Sequence, residues 1–431
     1  MTRKVHLRVN WDTVVTETPE FKTTVFTSSN GREQRSAERL SPRRTINFGT
    51  LLNKNALRNA QNLHNLIGTE SLMIADPTRR AAVLTSSVAD GATVLPIDFL
   101  PDWLTAGIDI AVVEPTRTVF TSVASTSAGS LTLVSGLSKA ISVGASIQPA
   151  IIVTPAHKAS FSASTDTLAT HSATFNQVAG SLLPELGSPA LPVFESRPVL
   201  AVGPNWSRAL VSSFETAVDT VDYERGIWKD YLRHDIVSRI SQFDYLGRSA
   251  DTIGQVVSLF NDCRGRQGEV WCPTWMEDMV PTTGITIGQT EITVEGRYLA
   301  DFYAGSKTHK AIAIRLSNGE WIYRRVTDIL VNGLNPGEFT NDFSDDFRNG
   351  ESIIQIDEPF ATNVELPEDF SEIHFATPMD VNAERLEIVG VHWLHLCRFA
   401  NDQLSIQWIT NDVAQLVANI QTLEYFAPED L

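Results

Sequence analysis

The sequence predicts a mainly β (α+β) protein: two tandem β-sandwich or barrel units, each with a flanking α-helix and an inserted small β domain. Three observations predict it. Alternating segments rich in Val, Thr and Leu dominate the chain. One amphipathic helical stretch occurs in each half. Features of the first half then recur in the second in the same order, as in a tandem repeat. At 431 residues the chain is too long for one ordinary core. With 42% apolar residues, nine Trp and twenty Phe it has the means to bury several cores, which excludes a wholly disordered chain.

The elements follow in order. Val5, Leu7 and Val9 share one parity, and Phe21 and Val25 follow, so residues 1–30 are expected as strands. Residues 31–44 are strongly charged, and residues 45–52 form the next expected strand. From Asn53 to Ile67, Ala56, Leu57, Ala60, Leu63, Leu66 and Ile67 recur at helical spacing, and Gly68 is the expected stop. Residues 80–153 are rich in Val, Thr, Ser, Ala and Gly, with short runs such as Ile110–Val113 and Leu131–Val134, and predict a small β domain. Leu183–Pro192 has the prolines of a linker.

The pattern then starts again. Phe21–Val25 matches Phe214–Val218, and Thr45–Phe48 matches Ile240–Phe243, with Phe48 and Phe243 lying 195 positions apart. The second helix is expected near Ser249–Cys263, with Ile253, Val256, Val257 and Phe260 on one face. Met73–Pro77 falls against Trp271–Trp275. The β stretches 85–149 and 283–356 follow, ending in the similar signals Gly144–Ile147 and Gly350–Ile353. Phe161–Val178 lies over Ile406–Leu423 at an offset of 245, placing Thr165 on Thr410, Ala169 on Ala414, Ala173 on Ala418 and Phe175 on Ile420. The growing offset means longer surface loops in the second copy. The expected copies are 11–180 and 205–426. The expected pieces are 1–80, an insert at 81–153, closing strands and linker at 154–195, then 196–282, a second insert at 283–360, and closing strands at 361–431.

Composition narrows function. A net charge of −17 and a pI of about 5.0 oppose phosphate and argue against a sequence-specific DNA binder, while fitting a protein that DNA passes without sticking. Cys263, Cys272 and Cys397 have no CxxC spacing and are expected as buried, reduced thiols. The start Met-Thr-Arg-Lys-Val-His-Leu-Arg has no apolar segment after it, and no window is long enough to span a bilayer, so neither a secretory signal nor a membrane anchor is expected. No nucleophile-elbow, phosphate-loop, zinc-protease or dinucleotide motif occurs. His392 and His395 would point to opposite faces of a strand, which suits structural roles better than shared metal ligation. The acidic run Asn341–Phe347 lacks the glycine placement of a calcium loop and is expected as a solvated loop, with a weak cation site as the alternative. Adjacent Glu277 and Asp278 do not flank a sugar bond as a glycosidase pair must. No catalytic residue, metal or cofactor is expected. Arg39, Arg43 and Arg44 form the main basic stretch and are candidates for ion pairing within the chain or with a neighbouring subunit.

Three segments carry a resemblance. Asn30-Gly-Arg-Glu-Gln-Arg, containing Gly31, Glu33, Gln34 and Arg35, followed by Pro42, Arg43 and Arg44, resembles a segment of siphophage distal tail proteins. Trp271-Cys-Pro-Thr-Trp-Met-Glu-Asp, with Trp271, Pro273, Trp275 and Asp278, resembles the element after their first helix. Arg398, Phe399 and Trp408 fall in a stretch that resembles their C-terminal strand pair. The first motif is intact only in the first half and the second only in the second half. The resemblance implies tail-tube-like β-sandwich units. It also implies a non-enzymatic virion protein: a ring at the tail tip, assembled in the host cytoplasm, joining the tail tube protein to the baseplate hub and tail fibre proteins. Transient passage of DNA through the channel follows. Two such units per chain suggest a trimer with pseudo-sixfold symmetry, with a hexamer as the alternative. Competing readings are a receptor- or carbohydrate-binding tail module and a cell-wall-degrading tail-tip enzyme.

Overall fold

The computed structural model describes residues 2–28, 32–65, 71–178, 190–226, 228–332, 350–362, 364 and 387–425. The fold is mainly β, as expected. In the first half, β1 (Arg3–Lys4) lies parallel to β6 (Leu72–Ala75). β2 (Val15–Glu20), the hairpin β3 (Thr23–Thr27) and β4 (Glu33–Ala37), and β5 (Arg43–Asn53) lead to α1 (Lys54–Asn65). After β6 come the insert strands β7 (Ala82–Val83), β8 (Val94–Pro96), β9 (Asp109–Val113), β10 (Thr118–Ser127) and β11 (Ser130–Leu133). β12 (Ser146–Ala163) and β13 (Leu168–Gln177) close the half. β12 is continuous across the expected boundary at 153, because one strand serves both the insert and the parent sheet.

In the second half, the short β14 (Val193–Phe194) and β15 (Arg197–Pro198) precede the long hairpin of β16 (Val211–Asp222) and β17 (Trp228–Arg248). Then follow α2 (Thr252–Asp262) and β18 (Val270–Pro273). The second insert holds β19 (Glu291–Glu295), α3 (Tyr298–Tyr303), β20 (Ala311–Leu316), β21 (Trp321–Asn332) and β22 (Glu351–Ile356). β23 (Ile388–Phe399), β24 (Ile406–Trp408) and β25 (Val413–Thr422) close the chain.

The two halves share one pairing plan. Thr16↔Asn47 between β2 and β5 has its counterpart, 195 positions on, in Val211↔Gln242 between β16 and β17. The same shift carries Thr23↔Ala37 onto Val218↔Leu232. Leu168↔Asn53 becomes Val413↔Arg248, and Leu72↔Val153 becomes Val270↔Cys397. The inserts run in the orders β8-β11-β10-β9-β12 and β19-β22-β21-β20-β23. Turn chemistry recurs as well. The Asn10 side chain accepts from the Asp12 amide at 3.2 Å, and Asn205 accepts from Ser207 at 3.1 Å. Thr165 Oγ1 accepts from the Leu168 amide, and Thr410 Oγ1 from the Val413 amide, both at 3.0 Å.

Register corrects three expectations. Phe214 occupies the place of Pro19, and Phe21 that of Thr216, so these phenylalanines are not counterparts. Gly350 answers to Gly129, not Gly144. Gly129 and Gly350 take φ of 82° and 113°, and each precedes its strand's pairing, Ser130↔Pro96 and Glu351↔Glu295. A glycine-serine signal occurs at many tight turns and does not fix register by itself. The alternation Val5, Leu7, Val9 is not a separate strand: beyond β1, only the bridge Val9↔Thr50 forms there. The helices fall as expected, α2 burying Ile253, Val256, Val257 and Phe260. Leu66, Ile67 and Gly68, most of the expected linker Leu183–Pro192, and the acidic run Asn341–Phe347 lie outside the described residues.

The parent sheets of the two halves share a main core. Ile46, Phe48 and Phe175 of the first half pack in one cluster with Phe243, Phe260, Phe399 and Trp408 of the second. Each insert has its own core, around Leu95, Ile110 and Leu131 in one and Ile292, Ile314 and Ile354 in the other. Phe48 and Phe175 stack with centroids 5.2 Å apart. Phe175→Ala is therefore expected to lower stability by about 3–5 kcal/mol, read as a shift of the urea midpoint.

Candidate functional site

Four of the charged residues singled out by the sequence, Glu33, Arg35, Arg44 and Arg398, converge where the first half meets the second. β2 is the link: one edge pairs with β5, and the other with β24 as Val15↔Trp408, Thr16↔Gln407 and Glu17↔Ile406. On β2 the buried parity carries Val15, Glu17 and Pro19. A carboxylate on a buried face needs compensation, and Glu17 has it from three donors. Arg44 Nε donates to Glu17 Oε1 at 2.5 Å, Arg79 Nη1 donates to Oε2 at 2.9 Å, and Trp408 Nε1 donates to Oε2 at 2.9 Å. Trp408 comes from the second half, so this buried cluster binds the halves together. Arg44 also pairs with Asp76 at 2.7 Å and donates to Thr78 Oγ1 at 2.5 Å. Burial alone would raise the Glu17 carboxyl, but the charges and hydrogen bonds of Arg44 and Arg79 overcome it and hold the group at about 2. Burial would lower Arg44, and Asp76 and Glu17 raise it instead.

A second cluster lies along the same seam. Arg398 Nε and Nη2 grip Glu33 Oε2 and Oε1 at 2.8 and 2.9 Å, a bidentate fork between β23 and β4. Arg35 pairs with Glu269 at 2.5 Å, and Arg197 with the other oxygen of Glu269 at 2.7 Å. Asp402 receives the Thr23 amide at 2.7 Å, the Thr23 hydroxyl at 2.9 Å and the Arg266 amide at 3.0 Å. Phe21 meets Phe260 edge-on, and Phe260 meets Phe399.

The sequence-derived candidates divide accordingly. Glu33, Arg35, Arg44, Arg398, Phe399 and Trp408 all belong to the seam. Arg39 pairs with Glu20 at 3.2 Å. Arg43 and Gln34 are exposed and Pro42 is half-buried, and Arg43 forms no ion pair among the described residues. Gly31 lies outside the described residues. Trp271, Pro273, Trp275 and Asp278 sit elsewhere, at the exit from β18 into the second insert. Trp271 is buried against Phe194 and Tyr425, and Pro273 pairs with Leu394. Trp275 turns the chain at φ 58° and packs edge-on to Trp321. Asp278 accepts from the Trp393 amide at 2.9 Å and from Thr274. Burial raises Asp278, while those hydrogen bonds oppose the shift.

Sequence reasoning missed Glu17, Asp76, Arg79, Glu269 and Asp402. Glu17 alone had a readable signal, a charge on the apolar parity of a strand.

In the second half the same positions are differently filled. The counterpart of Arg44 is Arg239, and that of Glu17 is Ser212, whose hydroxyl accepts from Arg239 at 3.0 and 3.2 Å. Arg239 borders a cleft of about 510 Å³ that is also lined by Phe214, Asp278, Tyr303, Trp393 and His395. His395 Nδ1 meets the Thr308 carbonyl at 2.9 Å. Burial, against that carbonyl, pushes His395 down to about 4, and burial with nearby His395 and Arg239 pushes His309 down to about 3. His392 instead meets the Met276 carbonyl. No group of three or more potential metal ligands occurs among the described residues, and no helix there is long and apolar enough to cross a membrane. Cys263, Cys272 and Cys397 are buried and free.

No known protein family and no curated protein matches the chain.

Two measurements test the seam. Glu17→Gln leaves two buried guanidiniums short of a carboxylate and is expected to cost about 3–5 kcal/mol. Because folding lowers the Glu17 carboxyl from 4.5 to about 2, its stabilisation is full above pH 4.5 and is lost as pH falls toward 2. In Glu17→Gln the slope of stability against pH across that window should flatten. For the second cluster, a double-mutant cycle of Glu33→Ala and Arg398→Ala should give a coupling of about 1–3 kcal/mol, whereas a value near zero would remove the pair from the seam.

Proposed function

We propose that the chain is a non-enzymatic structural protein of a tailed bacteriophage, forming a ring at the distal end of the tail that joins the tube to the baseplate hub and fibres. We also infer that its two halves arose by tandem duplication of a tail-tube-like unit. One observation carries the reading. The first and third motifs of the resemblance, which are far apart in sequence, meet at the seam between the two halves, directly through Glu33–Arg398 at 2.8 and 2.9 Å and indirectly through Arg44 and Trp408, which both donate to Glu17. Those motif residues act on packing one unit against the next, which is the work a ring requires. The shared register supports the duplication, since a chain of two like units docked side by side is a segment of such a ring. Net charge −17 suits a channel that repels DNA phosphate.

One feature favours a second reading, a receptor- or carbohydrate-binding tail module: the cleft beside Arg239 and Asp278 is lined by the aromatic residues Tyr303 and Trp393 next to polar groups. Such a module would bind ligand as a monomer.

The ring reading predicts that purified protein, measured by light scattering and negative-stain imaging, forms closed particles of three or six chains with a central opening wide enough for duplex DNA. A monomer at all concentrations, or an open filament, would defeat it.

A further inference from the structure

The seam inside the chain joins two strand edges, and among the described residues no strand pairs with the counterpart of either edge. β24 pairs with β25 on one side and with β2 on the other. Its register counterpart is the end of β12, because Phe161↔His171 answers to Ile406↔Leu416. That end of β12 pairs with β13 on one side, and among the described residues no strand pairs with its other edge at Ser162 and Ala163. The counterpart of β2 is β16, which among the described residues pairs only with β17.

Exposure separates the same positions. β2 alternates buried and half-buried residues, whereas every described side chain of β16 is exposed. Thr16 is half-buried on β2, but Val211, its counterpart on β16, is 54% exposed. Pro19 is buried on β2, and Phe214, in its place on β16, is 70% exposed. Farther along the same hairpin, Trp228 and Leu232 are also exposed. A long strand edge with exposed apolar side chains is a template for pairing with another chain.

We propose that β16 of one copy adds to the free edge of β12 of a second copy, reproducing between molecules the β2–β24 pairing within one. This deepens the ring reading and rests on it only for closure, since edge pairing needs no tail. The register is fixed by the internal seam. Thr16↔Gln407 translates to Val211 opposite Ser162 of the second copy, and Val15↔Trp408 to Leu210 opposite Ala163. The contact is head-to-tail: each copy offers its second-half hairpin and receives one on its first half. Such heterologous contacts close into rings when the rotation permits. The occupant is a second copy because the surface on offer is the counterpart of one this sequence already packs. The added strand also continues the β12-β13-β5 sheet without a break.

The test uses the full chain in two variants purified separately, Val211→Cys and Ser162→Cys, mixed and oxidised. The three native cysteines are buried and stay as background. A second mixture pairs Leu210→Cys with Ala163→Cys. Opposed residues of an antiparallel ladder alternate between close and wide pairs, so one of the two mixtures presents the closer geometry. The expected result is a disulfide-linked heterodimer in at least one mixture and none from either variant alone. In parallel, Val211→Pro and Phe214→Asp, both at exposed positions, should keep the far-ultraviolet spectrum and melting temperature while raising the concentration needed for assembly at least about tenfold. Three results would overturn the proposal: no cross-link in either mixture while scattering shows oligomers, a cross-link between two Val211→Cys chains, or a monomer throughout. Closed particles without the cross-link would sink the edge pairing and leave the ring. A cross-link within an open chain of subunits would do the reverse.

Discussion

Burying the Glu17 carboxylate constrains most of the seam. β2 must sit between β5 and β24 to continue the sheet from one half into the other. That position buries one parity of β2, and the parity includes a charge. An isolated carboxylate there would be untenable, so the surroundings are built to compensate it. Arg44 arrives from β5, Arg79 from the loop after β6, and the Trp408 indole from the far half. Arg44 in turn requires Asp76 and Thr78. Arg44 and Trp408 stand on strands that pack into the shared core of Phe48, Phe175 and Phe399, and Arg79 reaches in from its loop. Apolar packing supplies the drive, and the ionic cluster selects one alignment of the halves over a slipped one, since a one-residue slip would turn Glu17 out of reach of its donors.

Much of this was legible in the sequence. The mainly β class followed from alternation, and α2 from the spacing of Ile253, Val256, Val257 and Phe260. The C-terminal correspondence of Thr165 with Thr410 and Phe175 with Ile420 agrees with the register, because those residues combine a hydroxyl-capped turn with a buried strand face. Matches resting on one residue type failed. Phe214 resembles Phe21 in the sequence, yet Pro19 takes its place in the first half. Gly144 resembles the approach to Gly350, yet Gly129 has its role. Partners of the seam were hidden for a different reason. Glu33 and Arg398 lie 365 positions apart, and no local periodicity encodes a contact made by two strands from opposite ends of a chain. The arginine stretch pointed to the right region, but in sequence Arg43 and Arg44 look alike. Strand parity alone makes one exposed and the other buried.

The two inserts share a strand order but diverge in how they meet the parent sheet. In the first, His6 meets Thr118 at 2.7 Å, a light contact with β10. In the second, Trp275, Trp321 and His392 pack together where β18 enters the insert, and Asp278 ties the turn to the Trp393 amide. The tryptophan-rich motif thus hinges an insert onto its sheet, which explains its distance from the seam. It also gives Trp275 and Trp321 a packing role without invoking a ligand.

On the proposed pairing between copies, divergence between the halves follows from where each hairpin finds its surface. The first hairpin meets its acceptor in the same molecule, so its contacts form during folding at high effective concentration. Buried ion pairs such as Glu33–Arg398 are tolerable there, because neither charge waits unpaired. A hairpin whose acceptor is another molecule must remain soluble until the encounter. Charges destined for burial would be costly to desolvate at that moment, and exposed aliphatic and aromatic side chains interspersed with Thr, Asp and Glu are the cheaper solution. β16 and the start of β17 have that composition: Phe214, Val218, Val221 and Trp228 alternate with Glu215, Thr220 and Asp222. Where the first half has Glu17 beneath Arg44, the second has Ser212 beneath Arg239, a hydroxyl that stays hydrated in the free chain and still accepts two hydrogen bonds. The same register therefore supports a closed seam centred on a buried carboxylate within the molecule and, at its edge, an exposed strand with a hydroxyl in the carboxylate's place.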